Sequence, residues 1–185
     1  MARRAFLRGQ SPCGIAPPYR PPWAVGEALF TCLCTRCGAC IAACPTGLLT
    51  QGAGGFPEAD FRRGHCTFCA DCIHACTENT RQGAPRQSPA LVFSSDLPPW
   101  TLQAIIGTDC LTHKGVSCRS CEDRCEAGAI RFTPRTGCPA QPGIIISHCV
   151  SCGECVAACP THAISMQNLP PPARHPDSFP EKSPQ

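Results

Sequence analysis

The apolar residues of this chain occur in short groups, without the long periodic runs that mark large helices or strands. Runs of large apolar residues, such as 91–93 and 144–146, are only three residues long. Two further groups, IAA at 41–43 and VAA at 156–158, lie between cysteines and are followed by Pro45 and Pro160. Each group favours one or two turns of helix, which the proline then ends because it cannot donate the next backbone hydrogen bond.

Two other stretches have the composition of short strands joined by turns. They are GGFPEADF at 54–61 and GAIRFTPRTGCPAQPGIII at 128–146, in which β-branched or aromatic residues alternate with glycine and proline. Such stretches predict hairpins. No apolar run approaches the roughly 18–20 residues needed to cross a bilayer, so we expect a protein without a membrane span.

Cysteine has the clearest pattern of any residue type, because most cysteines fall into four runs. Three of the runs read CTRCGACIAACP, CTFCADCIHACT and CVSCGECVAACP, whereas the third along the chain has seven residues between its first two cysteines. Two runs match C-x2-C-x2-C-x3-C-P, which holds [4Fe-4S] clusters in bacterial ferredoxins. The candidate ligands are Cys34, Cys37, Cys40, Cys44, Cys66, Cys69, Cys72, Cys76, Cys110, Cys118, Cys121, Cys125, Cys149, Cys152, Cys155 and Cys159. They predict four [4Fe-4S] clusters and an electron-transfer function.

The spacing also predicts which cysteines share a cluster. A loop with two-residue gaps delivers three thiolates to one cubane, while the fourth cysteine of the run is directed to the neighbouring cluster. The predicted sets are Cys34, Cys37, Cys40 with Cys76; Cys66, Cys69, Cys72 with Cys44; Cys110, Cys118, Cys121 with Cys159; and Cys149, Cys152, Cys155 with Cys125. The alternative is a nested arrangement, in which the first run pairs with the fourth and the second with the third.

Composition indicates that the clusters also support the fold. Of 185 residues, 19 are cysteine, whereas aromatic residues amount to 6% and charged residues to 16%. So few large apolar side chains bury too little surface to offset the entropy of ordering the chain, and metal binding then becomes coupled to folding. We predict a small α+β fold of two tandem bacterial-type 2[4Fe-4S] ferredoxin modules with little conventional core. The predicted parts are a basic, Pro-rich N-terminal arm (1–30), a first module (31–80), a linker (81–100), a second module (101–167) and a Pro-rich disordered tail (168–185).

Zinc is the alternative metal, because C-x2-C pairs separated by a dozen or more residues commonly form four-thiolate zinc sites. The third closely spaced cysteine in each run favours cubanes over paired zinc ribbons. A disulfide framework goes with secretion and usually with an even number of cysteines, whereas this chain has an odd number. We therefore expect reduced thiols and a cytoplasmic location.

The ends and the charge of the chain limit other functions. MARRAFLRG resembles the start of a twin-arginine export signal, but the proline-interrupted GQSPCGIAPPYRPPW follows in place of an apolar stretch. A solvated basic tail is the other interpretation. The net charge of +3 is too small to indicate nucleic-acid binding. Since phosphate loops, nucleophile elbows and paired catalytic carboxylates are not found, we expect an electron carrier or accessory protein, with no catalytic residues.

Three residues outside the ligand sets have two interpretations each. Trp23, at the end of the proline-rich arm, either covers an apolar edge of the first module or belongs to an arm that docks a partner. His65 and His148 each precede the first cysteine of a run. They are either solvated entry residues or groups that tune cluster protonation.

Three cysteines remain outside the predicted sets, namely Cys13, Cys32 and Cys138. Cys32 competes with Cys34 for a ligand role, but only Cys34 gives the two-residue gap to Cys37. Cys138 follows a turn glycine and is expected to have no ligand role.

Four segments carry a resemblance that extends up to about residue 168. They are RRAFLRG at 3–9, RPPW at 20–23, GAGGFPEADF at 52–61 and SCRSCEDRCEAGAIRF at 117–132. In order and spacing the chain resembles the NapF-type ferredoxin-like proteins associated with periplasmic nitrate reductase. The resemblance implies a cytoplasmic four-cluster protein that meets the catalytic molybdoenzyme subunit of that reductase before export and assists its maturation. A general electron-relay subunit of a larger oxidoreductase is the alternative. Thr77 and Glu126 stand where the ferredoxin pattern has proline.

Overall fold

The computed structural model describes residues 18–83 and 88–168. The expectations for the export-like start, for Cys13 and for the tail beyond Asn168 concern residues outside these ranges. The helices are α1 (Glu27–Leu33), α2 (Ala39–Ala42), α3 (Asp71–Gly83), α4 (Ser120–Asp123) and α5 (Glu154–Ala158). The strands are β1 (Leu49–Gln51), β2 (Pro57–Ala59), β3 (Leu102–Ile106), β4 (Ile130–Arg135), β5 (Cys138–Ile144) and β6 (Ile164–Asn168). Short helices with three two-stranded antiparallel sheets confirm the predicted small α+β class.

The first module contains one small sheet, the β1–β2 hairpin, and the two helices α2 and α3 packed together. Leu49 pairs with Ala59, and both side chains are buried. The backbone N–H of Gly52 donates to the carbonyl of Phe56 at 2.8 Å and closes the turn. The stretch 54–61, which was expected to form a hairpin, supplies the turn and β2, whereas β1 lies upstream of it.

Helix α3 is 13 residues long, longer than the one or two turns expected at 41–43 and 156–158. The short helices of the first and fourth runs each contain the third cysteine of the run, and Pro45 and Pro160 stand beyond their last turn. The second run has Thr77 at that position. Threonine keeps its N–H and avoids the steric clash of proline, so the helix continues.

The second module has two sheets. β4 and β5 form a hairpin in which Ile130 pairs with Ile144, which confirms the hairpin expected over 128–146. β3 pairs with β6, with Ile106 opposite Ile164, and this pairing was not predicted. In β6, Ile164 and Met166 are buried while the residues between and after them are exposed, as expected of a strand with one face on the core.

The arm and the linker are integral parts of the fold within the described ranges. Ala24 forms an antiparallel bridge with Leu91, whose side chain is 1% exposed. The hydroxyl of Tyr19 donates to the carbonyl of Met166 on β6. Residues at 18–25 therefore pack on the linker and also reach the last strand of the second module.

The two modules share a buried joint. Phe61 of the first module packs edge-on against Trp100, with ring centroids 5.4 Å apart. The backbone N–H of Cys66 in the first module donates to the carbonyl of Cys152 in the second at 2.8 Å. Buried apolar residues form one cluster through both modules, a more continuous core than we expected. Its cysteines are Cys40, Cys72, Cys121, Cys155 and Cys159.

Across 18–83 and 88–168, none of the helices combines the length and the apolar character that crossing a membrane requires.

Candidate functional site

Three of the four cysteine runs share one backbone conformation. In each, the residue before and the residue after the second cysteine have a positive φ. The pairs are Arg36 and Gly38 (φ 59° and 76°), Phe68 and Ala70 (58° and 63°), and Ser151 and Gly153 (62° and 81°). These left-handed residues bend the loop tightly around a central space. The similar sequences therefore fold into loops of one shape, each presenting three thiols inward.

The fourth cysteine of a run lies one helical turn beyond the third. Cys44 follows α2 and Cys159 follows α5, whereas Cys72 and Cys76 both lie on α3. Residues four apart on a helix share a face. Cys72 and Cys76 nevertheless line different cavities. One turn of helix α3 therefore supplies a cysteine to each of two neighbouring sites.

Four cavities in the described part of the chain are each lined by four cysteines. Site 1 is lined by Cys34, Cys37, Cys40 and Cys76. Site 2 is lined by Cys44, Cys66, Cys69 and Cys72. Site 3 is lined by Cys110, Cys118, Cys121 and Cys159. Site 4 is lined by Cys125, Cys149, Cys152 and Cys155. The cysteines are thus grouped as local crossing within each pair of runs predicts.

The stretched third run reaches the same arrangement by a different loop. The seven residues between Cys110 and Cys118 turn back on themselves, with the backbone N–H of Lys114 donating to the carbonyl of Cys110 at 3.1 Å. Thr112 is 2% exposed, and its hydroxyl donates to the carbonyl of Cys118 at 3.2 Å. The buried threonine therefore closes the insertion and returns Cys118 to the cavity that Cys110 lines.

Several cysteines that line the cavities have a raised pKa, so their thiols are hard to ionise. Burial, together with repulsion from neighbouring thiolates, raises the pKa of several cysteines above the ordinary value of 9.0. The pKa is about 12 for Cys40, Cys66, Cys72 and Cys155, and about 11 for Cys121. After burial, the largest contribution at Cys40 comes from Cys76, the member of site 1 supplied by the other run. Such thiols become thiolates when a metal supplies the compensating positive charge.

Cys44 and Cys159 differ from the other members of their sites. Burial opposes ionisation at both, but hydrogen bonds outweigh it and lower the pKa of each thiol. The hydrogen bonds at Cys44 come from Thr46 and from the backbone at Leu49, and those at Cys159 come from Thr161 and the backbone nearby. The two positions are equivalent in sequence, because each cysteine is followed by proline and threonine.

The arrangement of the thiols suits a cluster better than a single ion. Within 18–83 and 88–168, no three His, Cys, Asp or Glu side chains converge closely enough to hold one metal ion. Each set of thiols surrounds a space, as a cubane with metal at separated corners requires, whereas a zinc ion needs all four sulfurs about 2.3 Å from one point. The donor chemistry and the spacing therefore fit [4Fe-4S] clusters.

Backbone amides also point at the ligand sulfurs. The N–H of Phe68 donates to Sγ of Cys66 at 3.4 Å, and the N–H of Ala163 donates to Sγ of Cys159 at 3.3 Å. Hydrogen bonds to the sulfurs are among the means by which a protein sets the potential of an iron–sulfur cluster. The loops thus contribute donors as well as ligands.

The sites form a row along the molecule. Cys72 of site 2 acts on the pKa of Cys40 of site 1, and Cys121 of site 3 acts on that of Cys155 of site 4. At the joint between the modules, the N–H of Cys66 donates to the carbonyl of Cys152 at 2.8 Å. Ligand loops of sites 2 and 4 are therefore hydrogen-bonded to each other, and the row runs 1, 2, 4, 3.

The candidates outside the four sets lie in different surroundings. Cys32 and Cys138 are exposed, and neither lines any of the four cavities. His148 is exposed and His65 is half-buried, so the two repeat-equivalent histidines do not share an environment. Trp23 packs edge-on against Phe68, with ring centroids 6.5 Å apart, as the covering interpretation expects.

Sequence reasoning missed two kinds of residue at these sites. Thr46 and Thr161 each follow the fourth cysteine of a run and a proline, and this repeated CPT is the sequence signal that could have identified them. Trp23 lines the cavity of site 2 from a segment more than forty residues away from Cys66. No local pattern signals such a contact, because it depends on how the arm folds back.

Comparison with known proteins agrees with this geometry. Residues 33–80 and 114–163 match the 4Fe-4S dicluster domain family. The chain is 41% identical over 150 residues to "Ferredoxin-type protein NapF" of Escherichia coli (strain K12), covering 81% of this chain and 85% of that protein. It is 38% identical over 182 residues to the Haemophilus influenzae protein of the same name, covering 91% and 95%.

A more distant relative is the "Methylamine utilization ferredoxin-type protein MauM" of Paracoccus denitrificans, 29% identical over 180 residues, with 90% of this chain and 77% of that protein covered. The NapF matches span most of both chains, and the dicluster matches contain the short-gap cysteines of all four runs. These findings confirm the resemblance inferred from the sequence. The chain belongs to the NapF family of ferredoxin-type proteins with 4Fe-4S dicluster domains.

Proposed function

We propose that the sixteen cysteines of sites 1–4 hold four [4Fe-4S] clusters, and that the protein is a cytoplasmic electron carrier of two tandem modules (31–80 and 101–167). The observation that carries the proposal is the grouping of four thiols around each of four cavities. When bound, a [4Fe-4S] cluster accepts and releases an electron at a potential that its surroundings set.

The chain's own residues would do three things at each site. Four cysteines supply the ligands, and crossing ties the two runs of a module together. Buried apolar residues such as Leu49 at site 2 and Ile130 at site 4, which are 3% and 2% exposed, keep water from the cavity walls. Backbone amides such as that of Phe68 donate to ligand sulfurs. The row of sites, with ligand loops of sites 2 and 4 in contact, suits a protein that carries electrons across its length.

The proposed partner is the catalytic molybdoenzyme subunit of a periplasmic nitrate reductase. Membership of the NapF family supports this choice. We propose that the protein binds the cytoplasmic precursor of that subunit before export, and that it assists maturation or donates electrons to it. Exposed Cys37 and Cys69 leave the edges of sites 1 and 2 accessible to such a partner.

Anaerobic affinity purification tests the partner. The full chain should retain the cytoplasmic precursor of the reductase, whereas the exported form should be absent from the eluate. A strain lacking the chain should assemble less active reductase. Undiminished nitrate reductase activity in that strain would contradict the maturation role.

The alternative is a general electron-relay subunit of a larger oxidoreductase, which the row of four sites also favours. A relay subunit would form a stable one-to-one complex with a mature membrane enzyme, and its deletion would abolish electron throughput without reducing the amount of assembled client. The two outcomes are distinguished by measuring precursor association and client assembly in the same deletion strain.

A further inference from the structure

Trp23 has a buried polar atom without a hydrogen-bond partner in the described ranges. Its indole Nε1 is shielded from solvent, and no acceptor for it is found among residues 18–83 and 88–168. Buried N–H groups are nearly always paired in native proteins. The orphaned donor therefore calls for an acceptor other than the groups of residues 18–83 and 88–168.

The surroundings of the Trp23 ring identify where that acceptor lies. The ring lines the cavity of site 2 together with Cys44, Cys66, Cys69 and Cys72. It also lines a surface groove formed by the arm and the linker. An N–H that faced the open groove would be reached by water, whereas this one is buried. Site 2 is the cavity next to the ring in which an acceptor can be held away from solvent.

The ring is held firmly in this position. The backbone of Trp23 is hydrogen-bonded on both sides. Its backbone N–H donates to the carbonyl of Pro99 at 2.9 Å, and its carbonyl accepts from the backbone N–H of Val92 at 3.0 Å. Its ring packs against Phe68 and, at 5.3 Å between centroids, against Phe93. Phe68 belongs to the ligand loop of site 2, and its own N–H donates to Sγ of Cys66. Trp23 is thus fixed against the loop that presents three of the four thiols.

We infer that the indole N–H of Trp23 donates a hydrogen bond to a sulfur at site 2, and that Trp23 is a positioning residue that raises the reduction potential of that site above the value it would otherwise have. The inference rests on the proposed cluster ligation. Reduction adds negative charge to the sulfurs, so a donor stabilises the reduced state more than the oxidised one.

The test compares Trp23→Phe with Trp100→Phe in anaerobically purified protein. Trp100 is the matched control, because its indole N–H already donates to the carbonyl of Arg20 at 2.8 Å. EPR-monitored redox titration of Trp23→Phe should lower one midpoint and leave the others in place. At the wild-type midpoint of site 2, the ratio of reduced to oxidised cluster should fall about tenfold in Trp23→Phe. This fall is equivalent to lowering the midpoint by about 59 mV for one electron. Trp100→Phe should change every ratio less than about threefold, the equivalent of about 28 mV.

A second measurement keeps the test decisive if Trp23→Phe loses its clusters. The chain has two tryptophans, so in Trp100→Phe the remaining one is Trp23. Labelling with 15N-indole tryptophan should give a nitrogen hyperfine coupling to one reduced cluster. Replacing Trp23 there with benzothienylalanine, which keeps the ring shape and lacks the N–H, should lower the same midpoint.

The outcomes separate this inference from the proposed function. The Trp23 inference alone would be overturned if Trp23→Phe and the benzothienylalanine protein both kept full iron and sulfide content and unchanged midpoints. The absence of a nitrogen coupling from Trp23 would overturn it as well. A wild-type protein without four clusters would overturn the proposed ligation on which the inference rests.

Discussion

The two modules build the same kind of site but cover it in different ways. Sites 3 and 4 of the second module are covered by sheets of that module, with Ile106 and Ile164 lining site 3 and Ile144 and Met166 lining site 4. Site 2 of the first module is covered in part by Trp23 from the arm. The ligand loops are repeated, and so is part of the wall beside them, since Leu49 lines site 2 where Ile164 lines site 3. Trp23 comes from outside the repeat, so a difference between the properties of sites 2 and 3 should originate there.

Exposure of the second cysteine of each run follows the same division. Cys37 and Cys69 of the first module are exposed, whereas Cys118 and Cys152 of the second are half-buried. Cys152 is covered because its carbonyl accepts a hydrogen bond from Cys66 at the joint. The second cysteines of the first module are therefore more exposed than those of the second module.

Removing one buried ligand from either module should have the largest effect. Cys72→Ser and Cys155→Ser each delete the third cysteine of a run, in sites 2 and 4. With four clusters ligated as proposed, each variant should lose at least about one quarter of the iron, and the affected module should lose its cooperative unfolding. Iron analysis and thermal unfolding under anaerobic conditions measure both effects.

Cys32→Ser is the control for the ligand variants, since Cys32 is exposed and lies outside the four sets. It should keep full iron content. Equal iron content in all three variants would contradict the assignment of ligands.

Opening the joint between the modules should have the next largest effect. Phe61 is 4% exposed and packs against Trp100, so Phe61→Ala should destabilise the protein by about 3–5 kcal/mol. Phe93→Ala removes a ring that is 59% exposed and should cost less than half as much. Guanidinium midpoints for loss of cluster absorbance measure the two. Equal losses would show that the joint carries no special stability.

Three equivalent backbone positions give a graded comparison of the loops. Gly38, Ala70 and Gly153 follow the second cysteine of their runs, all with positive φ. Left-handed backbone costs a non-glycine residue about 1–2 kcal/mol. Ala70→Gly should therefore stabilise the first module by roughly 1 kcal/mol, and Gly38→Ala should destabilise it by a similar amount.

Gly153→Ala should destabilise more than Gly38→Ala. An added Cβ at Gly153 would lie 2.0 Å from Cδ1 of Phe61, whereas nothing lies within 4 Å of one at Gly38. The same guanidinium assay ranks the three variants. An Ala70→Gly protein less stable than wild type would contradict the shared loop conformation.

The smallest effect should come from the ion pair that anchors the arm on α1. The Arg20 guanidinium lies 2.7 Å from the Glu27 carboxylate; its hydrogen bond lowers the pKa of Glu27 from the ordinary 4.5, although burial opposes the shift. The folded-state pKa is lowered, so the stabilisation is full above about pH 4.5 and is lost as pH falls through the folded value. Glu27 is 56% exposed, so screening limits the contribution to at most about 1 kcal/mol.

Glu27→Gln checks this pH dependence. The difference in unfolding rate between wild type and variant, measured after rapid pH jumps, should be constant from pH 7 to 5 and should shrink below about pH 4.5. A difference that grew on acidification would contradict the sign.

The grouping of the cysteines around four cavities could be predicted from the sequence because it is set locally. Two-residue gaps and one turn of helix fix where the thiols of Cys34, Cys37, Cys40 and Cys44 can point, whatever the rest of the chain does. The hairpin over 128–146 was predictable for the same reason, since its strands adjoin one turn.

The long-range features could not be predicted in this way. Pairing of β3 with β6 joins segments about sixty residues apart, and the contact of Cys66 with Cys152 joins two modules. Neither leaves a periodic signal in either segment. The length of α3 differs, because it has a local signal. Thr77 stands where the ferredoxin pattern has proline, and its backbone N–H allows the helix to continue.

Iron and acid-labile sulfide analysis of the anaerobically purified full chain tests the central claim most directly. Four cubanes held by sites 1–4 predict about sixteen iron and about sixteen sulfide per chain. Zinc without sulfide, or a colourless protein that still unfolds cooperatively, would contradict it.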